Sequence, residues 1–166
     1  MTITTSESIN WKELYEHLLP RVFHFFWYKT GDKLVAEELT ALTFEKAWSS
    51  RERYRKDEGG FRFWLFGIAQ KVAADHFRRS RPEVPLEAAD LTSGQNVERE
   101  LESRLDVERL ASLVTRLPER ERTLIALKYG AELNNREIAR QTGLSESNVG
   151  TILARTVSRL RAEWEQ

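Results

Sequence analysis

The sequence predicts an all-α fold: two small helical domains joined by a flexible acidic linker, the C-terminal one a helix-turn-helix. Apolar residues recur at three- and four-residue spacing along most of the chain, and no segment of convincing length alternates as a strand would. Residues 82–103 carry Pro82, Pro85, Thr92-Ser93-Gly94 and many acids among sparse apolar residues, the composition of a linker. The 166-residue length suits one ordinary domain or two small ones. Boundaries follow at 1–81, 82–103 and 104–166.

In the first domain, Asn10 followed by Glu13 is a capping-box pattern, with Ile9 and Leu14 placed as a hydrophobic staple. Leu14, Leu18, Val22 and Phe25 or Phe26 then recur at helical spacing until Thr30-Gly31-Asp32 stops the helix. A second helix is expected from about 33 to 49, with Leu39, Leu42 or Thr43, Ala47 and Trp48 as inner positions. Residues 51–60 are polar, end in Gly59-Gly60 and read as a loop. Phe61, Trp64, Leu65, Ile68, Ala69, Val72 and His76 mark the inner stripe of a third helix reaching about residue 79. Fully extended, the roughly 20 residues that follow reach at most about 70 Å, so the two halves have the tether to sit far apart. Residues 97–104 either end that tether or begin the next helix. Beyond them, Leu101, Leu105, Leu110 and Leu113 or Val114 lead to a break at Leu117-Pro118. Pro118 is expected as the first residue of a new helix, with Glu119 and Glu121 near its positive end.

Composition excludes several function classes. Hydrophobic residues at 40% and charged residues at 31% point to a folded protein rather than a disordered one. Cysteine is absent, which removes disulfides, thiolate nucleophiles and Cys-based zinc sites together. His17, His24 and His76 lack a further ligand at metal-site spacing, and no Gly-rich phosphate loop or paired carboxylates with a partnering base occur. No cofactor, no metal and no enzymatic activity are expected. No apolar run approaches the roughly 20 residues needed to span a bilayer, and the N-terminus lacks the basic and apolar regions of a secretory signal. No membrane insertion and a cytoplasmic location are the expectation.

The net charge is zero, yet it is segregated. Residues 1–50 carry 5 basic and 7 acidic residues, net −2, and residues 51–82 carry 9 and 4, net +5. Residues 83–108 carry 2 and 8, net −6, and residues 109–166 carry 10 and 7, net +3. Two basic modules flank an acidic strip, and a partner feels that local pattern because fields are screened over roughly 8–10 Å.

The most informative segment runs from Leu133 to Val149 and has the form of a helix-turn-helix. Asn134 is placed to cap a short helix, Glu137 to complete the box, and Leu133 with Ile138 to form a staple. Ala139 is small where a second helix must cross closely. Gly143 suits the positive φ of a tight turn, and Leu144 plugs the angle between the helices. Ser145 caps the second helix, whose inner stripe is Val149, Ile152 or Leu153, Thr156 or Val157, and Leu160. Its other face presents Ser147, Thr151, Arg155 and Arg159, with Asn148 near the leading end. In such motifs the leading residues of the second helix enter the major groove, which makes Arg136, Ser145, Ser147, Asn148, Thr151 and Arg155 the candidate duplex readers.

A second candidate surface lies at 51–81. Single-stranded DNA is gripped by cations on its phosphates and flat rings against its bases. Arg51, Arg53, Arg55, Lys56, Arg62, Lys71, Arg78, Arg79 and Arg81 supply charge, and Tyr54, Phe61, Phe63, Trp64 and Phe66 supply rings. Phe61 and Trp64 fit the inner stripe, which leaves Phe63 and Phe66 as the expected exposed rings.

The order and spacing of residues 36–48, the basic loop, residues 61–79 and the Leu117-Pro118-Glu-Arg-Glu-Arg lead-in resemble an extracytoplasmic-function sigma factor. The resemblance covers about residues 10–81 and 103–164. It implies a protein that brings bacterial core RNA polymerase to promoter DNA and is held in check by an anti-sigma factor. The helix at 36–48 would dock on the polymerase clamp through Glu38, Ala41 and Leu42. Arg53, Tyr54, Lys56, Phe61, Arg62, Phe63, Trp64, Lys71, Arg78 and Arg79 would open and read the −10 element, and the helix-turn-helix the −35 element. Relatives show Asp-Leu-x-Gln-Glu in the clamp helix; here the acid survives as Glu38, while Ala41 and Leu42 are apolar. Relatives also place Lys and Arg where this chain has Gly150 and Ile152, and losing two phosphate contacts lowers the salt slope by roughly 1.4–1.8. The competing reading is a stand-alone helix-turn-helix regulator, which leaves the basic and aromatic third helix unexplained.

Overall fold

The computed structural model describes residues 10–55, 59–80 and 97–166, which hold seven α-helices and no strand. In the first half, α1 (Trp11–Thr30), α2 (Lys33–Ser49) and α3 (Gly60–Arg79) follow one another. The second half has α4 (Val97–Thr115), α5 (Glu119–Ile125), α6 (Asn135–Thr142) and α7 (Glu146–Trp164). The helix start at Val97 lies within the stretch assigned to the linker.

Local chemistry sets most of these ends. The Asn10 side chain accepts from the Glu13 N–H at 3.2 Å and opens α1; its staple partner Ile9 lies outside the described residues. At the other end Gly31 adopts φ +67° and returns its N–H to the Trp27 carbonyl at 2.7 Å. Asp32 then caps α2, accepting from Leu34 and Val35 at 2.9 and 3.2 Å. Pro118 is not the first residue of α5 but its cap, its carbonyl accepting from the Arg122 N–H at 2.9 Å. Past Ile125 the helix widens into a π turn, Ala126–Gly130, which the Ala131 N–H closes on the Ala126 carbonyl at 2.9 Å.

The two halves pack on one another instead of sitting apart. Helix α1 is the common partner, touching α2 and α3 on one side and α4, α5 and the π turn on the other. A single apolar cluster runs from Leu18, Val22, Phe25, Phe26, Leu65 and Phe66 into Val114, Leu124, Ile125, Leu127, Ile138 and Val149. The backbones approach closely at Gly130, where an added Cβ would stand 2.7 Å from the Phe25 backbone nitrogen. Burying both apolar faces together removes more surface from water than either half removes alone.

Candidate nucleic-acid interface

Helix α7 is a framed reading head. Ser145 caps it, accepting from the Asn148 N–H at 3.1 Å, and Gly143 makes the preceding turn with φ +77°. Asn134 caps α6 in turn, accepting from the Glu137 N–H at 2.8 Å. Val149, Leu153 and Thr156 are buried, so the opposite side of the helix faces outward. Ser145, Ser147, Asn148, Thr151 and Arg155 are all exposed there, as is Arg136 on α6. The Ser145 Oγ is committed to its cap and Thr151 donates to the Ser147 carbonyl at 3.0 Å. Arg155 keeps its guanidinium free of hydrogen bonds and ion pairs among the described residues. Arg159, read as part of the same face, is instead held by Glu121 of α5 at 2.5 Å.

The clamp-helix candidates also share an outward face. Ala36, Leu39, Thr40, Thr43 and Ala47 turn into the core, leaving Glu38, Ala41 and Leu42 exposed. Of the two alternatives, Thr43 is the inner residue and Leu42 the outer, 37% exposed beside the more open Leu34. Trp48, expected inward, is 52% exposed: it meets only the edge of the core, at Trp11 in the first turn of α1.

The aromatic candidates divide in an unexpected way. Phe66 is not exposed: it is fully buried, its ring centroid 6.0 Å from that of Phe25. Helix α3 is packed by α1 and α2 on one side and by α6 on another, so it buries Phe66, Ala69 and Ala73 as well as Leu65 and Val72. Phe63 is half-buried, with the Arg140 guanidinium of α6 4.9 Å above its ring. Its carbonyl accepts from Gln141 Nε2 at 2.7 Å. Phe61 and Trp64 are half-buried in a ring cluster: Trp11 meets Trp48 at 5.4 Å and Phe61 at 5.2 Å edge-on, and Tyr54 meets Phe61 edge-on and Trp64 tilted, at 5.6 Å each. Arg51 lies over the Trp48 ring at 4.2 Å.

The cations around them are unequally available. Arg53, Lys71 and Arg79 are exposed, and Arg78 is exposed while paired with Asp75. Lys56 lies outside the described residues. Arg62 is drawn to the other half, 3.3 Å from the Glu137 carboxylate and 3.3 Å from the Glu132 carbonyl.

Several residues at this joint carried no signal in the sequence. Lys29, in the last turn of α1, reads as a surface cation but is 4% exposed, donating to Thr123 Oγ1 at 2.7 Å. Burial first and the nearby Arg122 guanidinium second lower its pKa to about 8, against the opposing pull of Glu119. Gln70 and Gln141, polar residues on separate helices, meet at 2.7 Å across the joint. Glu132, at φ +58°, pairs with Arg21 of α1 at 3.2 Å.

Residues 14–83 match the family model of sigma-70 region 2, and residues 108–160 match that of sigma-70 region 4. SigM, an ECF RNA polymerase sigma factor of Bacillus subtilis, is 30% identical over 153 residues, spanning 90% of this chain and 92% of SigM. The chain belongs to the ECF sigma factor family. It is thus a promoter-specificity factor of transcription initiation, whose two regions serve core RNA polymerase and promoter DNA. BldN, an ECF RNA polymerase sigma factor of Streptomyces coelicolor, is 30% identical over 152 residues, spanning 89% of this chain but 57% of BldN. In fold, the sigma factor resembles RpoE from a complex with the anti-sigma factor NepR of Bartonella quintana, with TM-score 0.73, 18% identity and coverage of 94% and 97%. It also resembles CnrH from a complex with the cytosolic domain of CnrY, with TM-score 0.64, 23% identity and coverage of 93% and 87%. A stand-alone helix-turn-helix regulator would leave the region 2 match without a purpose. No described helix of the sigma factor is long and apolar enough to cross a membrane.

Proposed function

We propose that this sigma factor divides its labour by domain: residues 1–81 bind core polymerase and open the −10 element, 82–103 tether, and 104–166 read the −35 element. Glu38, Ala41 and Leu42 form the polymerase-docking patch on α2, where two apolar side chains give a drier contact than a polar set would. Arg53, Tyr54, Lys56, Phe61, Arg62, Phe63, Trp64, Lys71, Arg78 and Arg79 serve the melted strand. Phe66, expected as an exposed ring, does not join that set, since a fully buried ring cannot stack on a base. Arg136, Ser145, Ser147, Asn148, Thr151 and Arg155 meet the duplex, with Arg155 the side chain best able to grip it.

The observation that carries this reading is the presence of both regions in one chain, each with its exposed polar face on the helix that the motif assigns. The protein works in the cytoplasm, catalyses nothing itself and answers to an anti-sigma factor; the likeness to RpoE, solved with NepR, supports that last element. The test is reconstitution with bacterial core polymerase and run-off transcription on genomic fragments. Discrete transcripts that need both proteins are expected. Tight site-specific binding by the chain alone, with no gain from polymerase, would sink the reading.

A further inference from the structure

We propose that Glu121 withholds Arg159 from the DNA backbone and so sets how strongly α7 grips duplex regardless of sequence. The inference rests on the assignment of α7 to the −35 duplex. Arg155 follows Asn148 by seven residues and Arg159 follows Arg155 by four. At ~3.6 residues per turn both spacings return to nearly the same side of a helix. All three residues are exposed, so Arg159 extends the line of Asn148 and Arg155 by one turn. Arg155 has no partner among the described residues, whereas Arg159 donates to the Glu121 carboxylate at 2.5 Å.

Both side chains stand on packed supports. Helices α5 and α7 are neighbours, and Glu121 precedes the buried Leu124 and Ile125 by three and four residues, which puts it on the packed side of α5. Its carboxylate lies in the first turn of α5, where the positive end of the helix favours it. Arg159 follows the buried Thr156 by three residues and stands at the edge of the packed face of α7. The Glu121 side chain is 26% exposed and that of Arg159 47%, so the bridge is partly shielded from solvent.

To reach a phosphate, Arg159 must give up this bridge and leave a bare carboxylate within roughly 8–10 Å of the DNA backbone, the screening length. Toward DNA the pair therefore counts as neutral and releases no counterion. Gly150 and Ile152 add no cation to the same helix, so its hold on phosphates is small and its polar readers carry the contact. Glu121 acts through Arg159 and is a positioning residue. A backbone contact carries no sequence information, so unmasking Arg159 strengthens binding to every duplex alike.

The test titrates salt from about 50 to about 200 mM on holoenzymes made with core polymerase and the full chain. The probes are a duplex fragment that yields a run-off transcript and the same fragment with its −35 segment replaced. Glu121→Ala should steepen the salt slope by about 0.9 on both fragments, so that its advantage over the unsubstituted protein shrinks about 3.5-fold across that range. Adding Arg159→Ala should return the slope to the original value, because the site is again neutral. Glu121→Gln, which keeps the side-chain volume, repeats the comparison should Glu121→Ala lower the melting temperature by more than a few degrees. An unchanged slope, a steepening that survives Arg159→Ala, or one confined to the transcribed fragment overturns the proposal. So does a double variant about 0.9 shallower than the original, which would place Arg159 on a phosphate already. If Arg155→Ala leaves affinity unchanged, the placement of α7 on duplex fails instead, and the Glu121→Ala pair still reports whether Arg159 reaches DNA.

Discussion

Gly130 and Phe25 meet backbone to backbone: a Cβ at Gly130 would stand 2.7 Å from the Phe25 nitrogen and 2.8 Å from the His24 carbonyl carbon. The π turn thus packs against α1 with no room for a side chain, and the residue that permits it belongs to the other half of the molecule. Gly130→Ala should cost about 1–3 kcal/mol by overpacking. Urea denaturation reads the loss, and a larger radius of gyration in X-ray scattering would attribute it to the joint. An unchanged midpoint would mean that the halves do not meet this way in solution.

Lys29 predicts a pH dependence of stability. Its folded pKa of about 8 lies below the ordinary value of 10.5, with Thr123, Phe77, Arg122 and Glu119 as its surroundings. The unfolded chain therefore binds more protons between those two values, so stability rises with pH across that window and the full penalty is felt below pH 8. The shift corresponds to about 3 kcal/mol. Lys29→Met should flatten the rise between pH 8 and 10 in urea titrations and leave stability at pH 7 equal or higher. The same slope in the variant would exclude Lys29 as its source.

Leu42→Asp places a charge in the proposed docking patch without touching the core, because Leu42 points outward from α2. Affinity for core polymerase should fall by about tenfold or more, equivalent to ~1.4 kcal/mol, while the melting temperature stays within a degree or two. Affinity unchanged in a pull-down titration would move docking to another face.

Arg155→Ala removes a cation with no partner among the described residues, so its effect is read on DNA. Holoenzyme binding to duplex promoter should weaken, and if Arg155 meets a phosphate the salt slope should fall by about 0.9. Opening on premelted templates should be largely intact. An equal loss on both templates would contradict the split between α7 and α3.

Much of this architecture was legible one segment at a time. The caps at Asn10, Asn134 and Ser145, the turn at Gly143 and the span of α2 follow from side-chain chemistry within three or four residues. Helix α7 likewise showed its inner stripe through Val149 and Leu153. What failed was legible only between segments. A helix with one buried face puts Phe66 outside, whereas α1, α2 and α6 cover two faces of α3. Arg159 reads as one more cation on the outer face of α7, because Glu121, which holds it, lies 38 positions away in the chain. Lys29, Gln70, Gln141 and Gly130 look ordinary within their own helices, and their contacts at the joint join residues at least 71 positions apart, where periodicity carries no information.

The central claim, that this chain carries polymerase to promoters, is tested most directly by run-off transcription with purified bacterial core polymerase on genomic fragments. The account predicts discrete transcripts that require both components and disappear with Leu42→Asp. Transcripts that are the same with and without the sigma factor would contradict it.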